Sequence, residues 1–396
     1  MTSYNIAMLS SVFYPSIGGI QTHTLHLSQK LKARGVGVLV ITRHYPGLAR
    51  YEEVDGVPVY RVGWGGSNKA VAAVSYILGA LQVLFAQRQH YAVLHCHQMI
   101  SPMTIGLLAR LLLRKPLVVN PHRSGPIGDV GILLRRRPVT GRLRLAAARR
   151  WSNAFITISP DIYDELRDNG LDKDKLWQIR NGVDVQHFRP ASPAERSDLR
   201  QTLGLPQRPT VVFTGRLVHE KGIDVLLAAW RTVVQRVPNA YLVIVGEGEM
   251  RPAFEAQTHE RGIQAHVRFA GGSDDVAPYL RAADAFVLPS RAEGLPVSLL
   301  EAMACQLPCV ATNIGGTMQV LSDNVNGRLV PVEAVPALAE ALVDALTATV
   351  ARQWAVAARQ HVVEHYSLDV VADRYIQMYS ALLRQPSAPA YSTPGN

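Results

Sequence analysis

Short runs of β-branched and apolar residues alternate along this chain with longer stretches whose apolar positions recur every three or four residues. The runs at 6–11, 37–42, 92–96, 117–121 and 155–159 predict strands, and 57–62 predicts another after the Asp55-Gly56 turn. The stretches at 20–34, 69–88, 103–113, 140–151 and 161–169 predict helices. A second series follows, with strands at 210–214, 241–245, 267–270, 285–288 and 309–312. Its helices are predicted at 224–237, 250–261, 277–283, 297–305 and 335–349. Such alternation predicts parallel sheets with helices on both faces. Two doubly wound α/β domains in series predict a central cleft, with ligands beyond the carboxyl ends of the strands.

A segment rich in Pro, Ser and charge separates the two series. The sequence therefore reads as an N-terminal domain over 1–188, a linker with a short polar helix over 189–208, and a C-terminal domain over 209–367. A last helix at 368–384 carries Val371, Tyr375, Met378, Tyr379 and Leu382 at helical spacing. The Pro/Ser/Ala-rich tail 385–396 reads as disordered. The longest apolar run, 70–86, is broken by Ser75, Gly79 and Gln82. It is short for a membrane span and reads as a buried helix of an α/β layer.

Composition narrows the class. Of 396 residues, 48% are hydrophobic and 18% charged, which is a globular balance. Three cysteines, Cys96, Cys305 and Cys309, make no disulfide framework or zinc set and read as buried thiols in a reducing compartment. The first residues show no basic leader or cleavage site, so a cytoplasmic location is expected. Between Arg110 and Arg150 there are eleven basic residues and one acid, Asp129, so this segment holds the chain's whole excess of +10. It is either a solvated face or an attractor for an anionic ligand or membrane surface. Arg135, Arg136, Arg137, Arg142 and Arg144 are the candidates. Without a recognition motif or interleaved aromatics, nucleic acid is not expected.

Candidate chemistry concentrates in Pro289-Ser290-Arg291-Ala292-Glu293-Gly294-Leu295-Pro296, followed by an apolar helix containing Glu301. A helix starting at Pro296 puts its free amides between the two carboxylates. Carboxylates accept from hydroxyls and amides hold negative oxygens, a receptor suited to a sugar nucleotide. Breaking a sugar–diphosphate bond gathers negative charge on the leaving group. Arg216 and Lys221, just after the strand at 210–214, are placed to neutralise it. The single D-x-D, Asp172-Lys173-Asp174, falls in an expected surface turn, so no metal or other cofactor is expected. Gly18-Gly19 precedes a helix and would let backbone amides approach a phosphate or an acceptor. His95 and His97 alternate on a strand, one expected in the core and the other at the cleft mouth.

These features resemble the retaining glycosyltransferases of family 4, which have the GT-B fold of two Rossmann-like domains. The resemblance rests on the E-x7-E pair Glu293/Glu301, on Phe13-Tyr14-Pro15-Ser16-Ile17-Gly18-Gly19, and on Asn181-Gly182-Val183-Asp184 with Phe188 and Pro190. Gly215-Arg216-Leu217 with Lys221-Gly222, Gly246-Glu247-Gly248 and Gly315-Gly316 extend it across nearly the whole chain. It implies that Glu301 holds ribose hydroxyls and that Glu293, with the amides around Gly294 and Leu295, contacts the donor sugar. His122 would lie over that sugar, with Gly246 near the nucleotide and the backbone from Phe269 to Gly271 at the base. It also implies that the last helix completes the N-terminal, acceptor-binding domain. Two departures are Gln21 and Gln319, where the family commonly has Glu. The expected activity is retaining, metal-independent hexosyl transfer from a nucleotide-diphospho-sugar, with a lean toward UDP. The acceptor would be a sugar, glycolipid or lipid-linked intermediate of surface polysaccharide, lipopolysaccharide or glycolipid assembly, met at the inner face of a membrane. A nucleotide-sugar epimerase of the same fold and a non-catalytic membrane-surface or polysaccharide-binding protein are the alternatives.

Overall fold

The computed structural model describes residues 4–16, 19–126, 128–136 and 138–384. Two compact units divide the chain: Met1–Arg180 with Val371–Asn396, and Asn181–Val370.

The first unit is built, in chain order, from β1 (Asn5–Leu9), α1 (Gly19–Ala33), β2 (Gly37–Arg43), β3 (Tyr51–Val54), β4 (Val57–Val62), α2 (Lys69–Ala86) and β5 (Val93–His97). It continues with α3 (Ser101–Leu113), β6 (Leu117–Asn120), α4 (Asp129–Arg136), α5 (Pro138–Trp151), β7 (Ala154–Thr157), α6 (Pro160–Asp168) and β8 (Leu176–Gln178). The eight strands lie in the order β3-β4-β2-β1-β5-β6-β7-β8. All pairs are parallel except the edge hairpin β3–β4. Its turn, Asp55-Gly56, has φ of 49° and 76°, the two positive values a tight I′ hairpin needs. β3 is absent from the sequence reading because Tyr-Glu-Glu-Val at a solvated edge offers almost no apolar signal. Every residue of the central strands β5, β6 and β7 is buried, as helices on both faces require. One expectation fails at α2. Only its stripe Ala72, Tyr76, Ala80, Leu84 is buried, and the far side is open.

The second unit runs α7 (Pro193–Thr202), β9 (Thr210–Thr214), α8 (Ile223–Arg236), β10 (Tyr241–Val245), α9 (Arg251–Glu260), β11 (Val267–Gly271), α10 (Ala277–Ala282) and β12 (Ala285–Leu288). It ends with α11 (Val297–Ala304), β13 (Cys309–Thr312), α12 (Gly315–Met318), β14 (Arg328–Val330), α13 (Val335–Thr347) and α14 (Val350–His365). Its six strands are ordered β11-β10-β9-β12-β13-β14 and are all parallel. The residues at 189–208, read from the sequence as a linker, are part of this unit. Arg200 of α7 is buried, donates to Ala282 O at 2.9 Å and pairs with Asp284 at 2.6 Å. Arg196 holds the other oxygen of Asp284 at 3.0 Å. Composition shows the charge of such residues but not their partner far along the chain. α14 was also unread, because its buried face is Ala351, Trp354, Ala355, Ala358 and Val362, a stripe dominated by alanine.

α15 (Leu368–Arg384) places Val371, Tyr375, Met378, Tyr379 and Leu382 in the core of the first unit. Tyr4 donates to Ile376 O of this helix, and Arg34 pairs with Asp373 at 2.7 Å. The tail 385–396 lies outside the described residues. All three cysteine thiols are buried and free, and burial raises each pKa.

Candidate active site

In the second unit the strand order reverses between β9 and β12, so the loops leaving these neighbours diverge and leave a receptive point at their carboxyl ends. The loop after β9 carries Arg216 and Lys221, and the loop after β12 carries Ser290 to Glu293. The structure joins them. Lys221 Nζ lies 2.6 Å from Glu293 Oε1, and Ser290 Oγ donates to the same oxygen at 2.6 Å. Ser290 is fully buried, while the Lys221 and Glu293 side chains keep 18% and 11% exposure. A pair this sheltered is strongly oriented yet still reachable by a ligand. Arg216, by contrast, is exposed and has no partner among the described residues.

Arg291 holds the two loops in register. It grips Asp224 through two nitrogens at 2.9 and 2.7 Å, reaches Glu333 at 2.5 Å, and donates from its backbone to Glu220 O at 2.8 Å. Sequence reasoning passed over Arg291, although it stands in the motif. Its partners are 67 and 42 positions away, beyond any local spacing. Glycines let the loops approach. Gly316 packs on the backbone of Glu293 and Gly294, and a Cβ at Gly246 would overlap Gly215 O. Gly246 N donates to Gly271 O at 2.8 Å and Leu217 N to Glu247 O at 2.9 Å, so the loops after β9, β10 and β11 are laced together. The structure therefore gathers Arg216, Gly246 and Gly271 on one group of loops, with Phe269 half-buried on β11. Gly294 faces open space and Leu295 packs on the core.

Glu301 lies in α11, which opens at Val297 with Pro296 as its cap. Its side chain is partly exposed, but the protein crowds the carboxyl. That desolvation, aided by Asp275, raises its pKa from 4.5 to about 8. Between those values the folded chain keeps a proton that the unfolded chain has released. Stability should therefore fall as pH rises from 4.5 through 8. The Glu301→Gln variant should lose that part of the slope, which melting curves at pH 6 and pH 8.5 would show.

The first unit holds the other predicted residues. Gly18 is outside the described residues, and Gly19 opens α1. His122 follows β6, and its Nε2 lies 3.2 Å from His97 Nδ1 with the rings stacked. Burial lowers the pKa of His23, His95 and His122 to about 3 and that of His97 well below 6.5, so all four imidazoles are neutral near pH 7. His95 and His97 are both fully buried, which corrects the expectation that one faces outward. Tyr379 of α15 lies 2.8 Å from His95 Nδ1 and covers that side. Asp129 is the missed residue here. Its buried carboxylate accepts from the amides of Met99 at 2.9 Å, His122 at 2.9 Å and Arg123 at 3.2 Å, tying the loops after β5 and β6. The sequence showed it only as the lone acid in a basic segment.

Of the anion-site candidates, Arg135 on α4 and Arg142 on α5 are exposed. Arg144 turns inward to the carbonyls of Met99 and Ile100 and so belongs to the fold rather than to a surface site. Arg136's side chain and Arg137 lie outside the described residues. Among the described residues, no group of three or more His, Cys, Asp or Glu is arranged to hold a metal ion.

Comparison with known proteins gives a consistent result. The family described as "Glycosyltransferase Family 4" matches residues 17–187, and "Glycosyl transferases group 1" matches 195–361. The chain is 31% identical to phosphatidyl-myo-inositol mannosyltransferase of Mycobacterium tuberculosis (strain H37Rv) over 403 residues, covering 95% of this chain and 97% of that one. It is 30% identical to an uncharacterized glycosyltransferase of Methanocaldococcus jannaschii, covering 94% and 97%. Among solved structures, HepE of Anabaena in complex with UDP and glucose superposes with a TM-score of 0.75 at 21% identity, covering 96% of this chain and 100% of that one. With two parallel-sheet units and these matches along nearly its full length, the chain belongs to glycosyltransferase family 4 and has the GT-B fold.

Proposed function

We propose that this glycosyltransferase moves a hexosyl unit, with retention of configuration, from a nucleoside-diphosphate hexose to a hydroxyl of a glycolipid or lipid-linked acceptor. The observation that carries this reading is the Lys221–Glu293 pair at the strand-order reversal, with Arg216, whose side chain has no partner among the described residues, on the same loop as Lys221. Both cations are available to the diphosphate, and neither needs a divalent ion to act. Glu293 stays fixed by Ser290 when Lys221 turns to a phosphate, leaving a carboxylate oxygen for a sugar hydroxyl. Neutral His122 serves as a hydrogen-bond partner to a hydroxyl, with Asp129 holding its backbone. The departing phosphate takes the acceptor's proton in a same-face displacement.

For the donor, GDP-mannose stands first. The full-length relative is named a phosphatidylinositol mannosyltransferase. A GDP-mannose-dependent relative from the same organism is 37% identical over 180 residues, 43% of this chain. A UDP-hexose, toward which the sequence leans, stands second. A melting panel of GDP-mannose, GDP, UDP-glucose and UDP tests this. A ligand at a hundredfold its Kd should stabilise the protein by about 2.7 kcal/mol. A shift with GDP-mannose above that with UDP-glucose supports the ranking, and no shift with any sugar nucleotide removes the transferase reading. An inverted anomer in the first-formed product would refute retention. Loss of turnover in EDTA would refute metal independence. An acceptor embedded in lipid places the enzyme at the inner face of the membrane.

A further inference from the structure

In the N-terminal unit, α3 packs against both α2 and α5, and none of these three helices contains an Asp or Glu. α2 is apolar on two opposite sides. Its inner stripe is committed to the fold, where Tyr76 donates to Ser10 O at 3.0 Å. Its outer stripe, Val71, Val74, Leu78 and Phe85, stands in solvent, with Leu78 62% exposed. α3 adds Leu111 and Leu112, the latter 71% exposed, and α5 adds Leu143 at 66%. Scattered exposed apolar residues are ordinary, but a whole exposed stripe on one helix, with exposed leucines on the helices packed beside it, is the kind of patch that marks a binding surface. Arg88, Arg114, Arg142, Arg149 and Arg150 lie exposed on or beside these helices. Arg88 sits 4.3 Å from the Phe85 ring centroid, a charged head beside an apolar anchor.

We propose that the α2–α3–α5 layer docks on an anionic lipid bilayer. Leu78, Phe85 and Leu112 enter the headgroup–acyl boundary, and the arginines meet lipid phosphates. α2 is long and apolar enough to cross a membrane, yet its inner stripe is held by the sheet, so it lies along the surface. A second copy is a poor occupant, because it would bring the same acid-free face and oppose arginine to arginine. This inference deepens the lipid-acceptor reading and rests on it for its biological sense.

The test is co-sedimentation of the full chain with vesicles of phosphatidylcholine and phosphatidylglycerol, against phosphatidylcholine alone. The protein should sediment with the anionic vesicles only. The variant Arg114→Gln/Arg142→Gln/Arg149→Gln should partition roughly a hundredfold less, since each arginine near such a surface contributes roughly fivefold. The variant Leu78→Ser/Phe85→Ser/Leu112→Ser should lose the binding that survives raised salt. Both replace exposed side chains, and their melting points and sugar-nucleotide shifts should match the wild type. No sedimentation, sedimentation unchanged in both variants, or a dimer that the apolar variant dissociates would each overturn the proposal while leaving a donor shift intact. Intact sedimentation without any donor shift would instead remove the transferase reading and keep the docking face.

Discussion

The Arg216→Ala/Lys221→Ala double variant should turn over the sugar nucleotide roughly a thousandfold more slowly, or worse. Removing one preorganised donor to developing charge costs about a hundred- to a thousandfold in kcat, and in the mechanism we propose the two cations serve one leaving group. The single variants should differ in an instructive way. Arg216 is exposed and its side chain has no partner among the described residues, so Arg216→Ala should lower kcat and leave the melting point alone. Lys221→Ala leaves a carboxylate that is only 11% exposed with Ser290 but without its cation, so it should lower both. Steady-state kinetics beside melting curves would separate these effects. Undiminished turnover in the double variant would end the cationic account of the leaving group.

Asp129→Ala should destabilise the N-terminal unit by about 3 kcal/mol. The carboxylate accepts three backbone amides and is buried, and hydrogen bonds to charged groups contribute about 1.5–3 kcal/mol each. Water entering the vacated space offsets part of that loss. Activity should fall further than stability explains, because the amide of His122 is one of the three. Asp129→Asn keeps one acceptor oxygen of similar placement and should lie between. Denaturant melts give the stability, and assays well below the melting point give the remainder. An alanine variant as stable and active as the parent would show that Asp129 organises nothing.

Residues whose place follows from local order were legible in the sequence. Arg216, Lys221 and Glu293 follow strands and Glu301 lies in the helix that opens at Val297, so spacing alone puts them near the carboxyl edge of a sheet. Arg291 and Asp129 were not, because their work lies in contacts that join distant loops. β3 and α14 were missed for a related reason: a polar edge and an alanine stripe both bury surface without the large apolar residues that periodicity detects. The misreading of α2 has another cause. A helix buried on two sides and a helix buried on one can have the same apolar composition, and only the burial of Ala72, Tyr76, Ala80 and Leu84 against exposed Val71, Val74, Leu78 and Phe85 tells them apart.

The N-terminal unit completes its core with Tyr375, Met378 and Tyr379, which lie beyond the whole second unit in chain order. All eight strands of that unit come before Arg180, so on the ribosome its sheet is complete while this part of its core stays unfilled until residues 181–370 have been made. A chain cut after Val370 would keep every residue of the second unit and leave the first without these three core side chains.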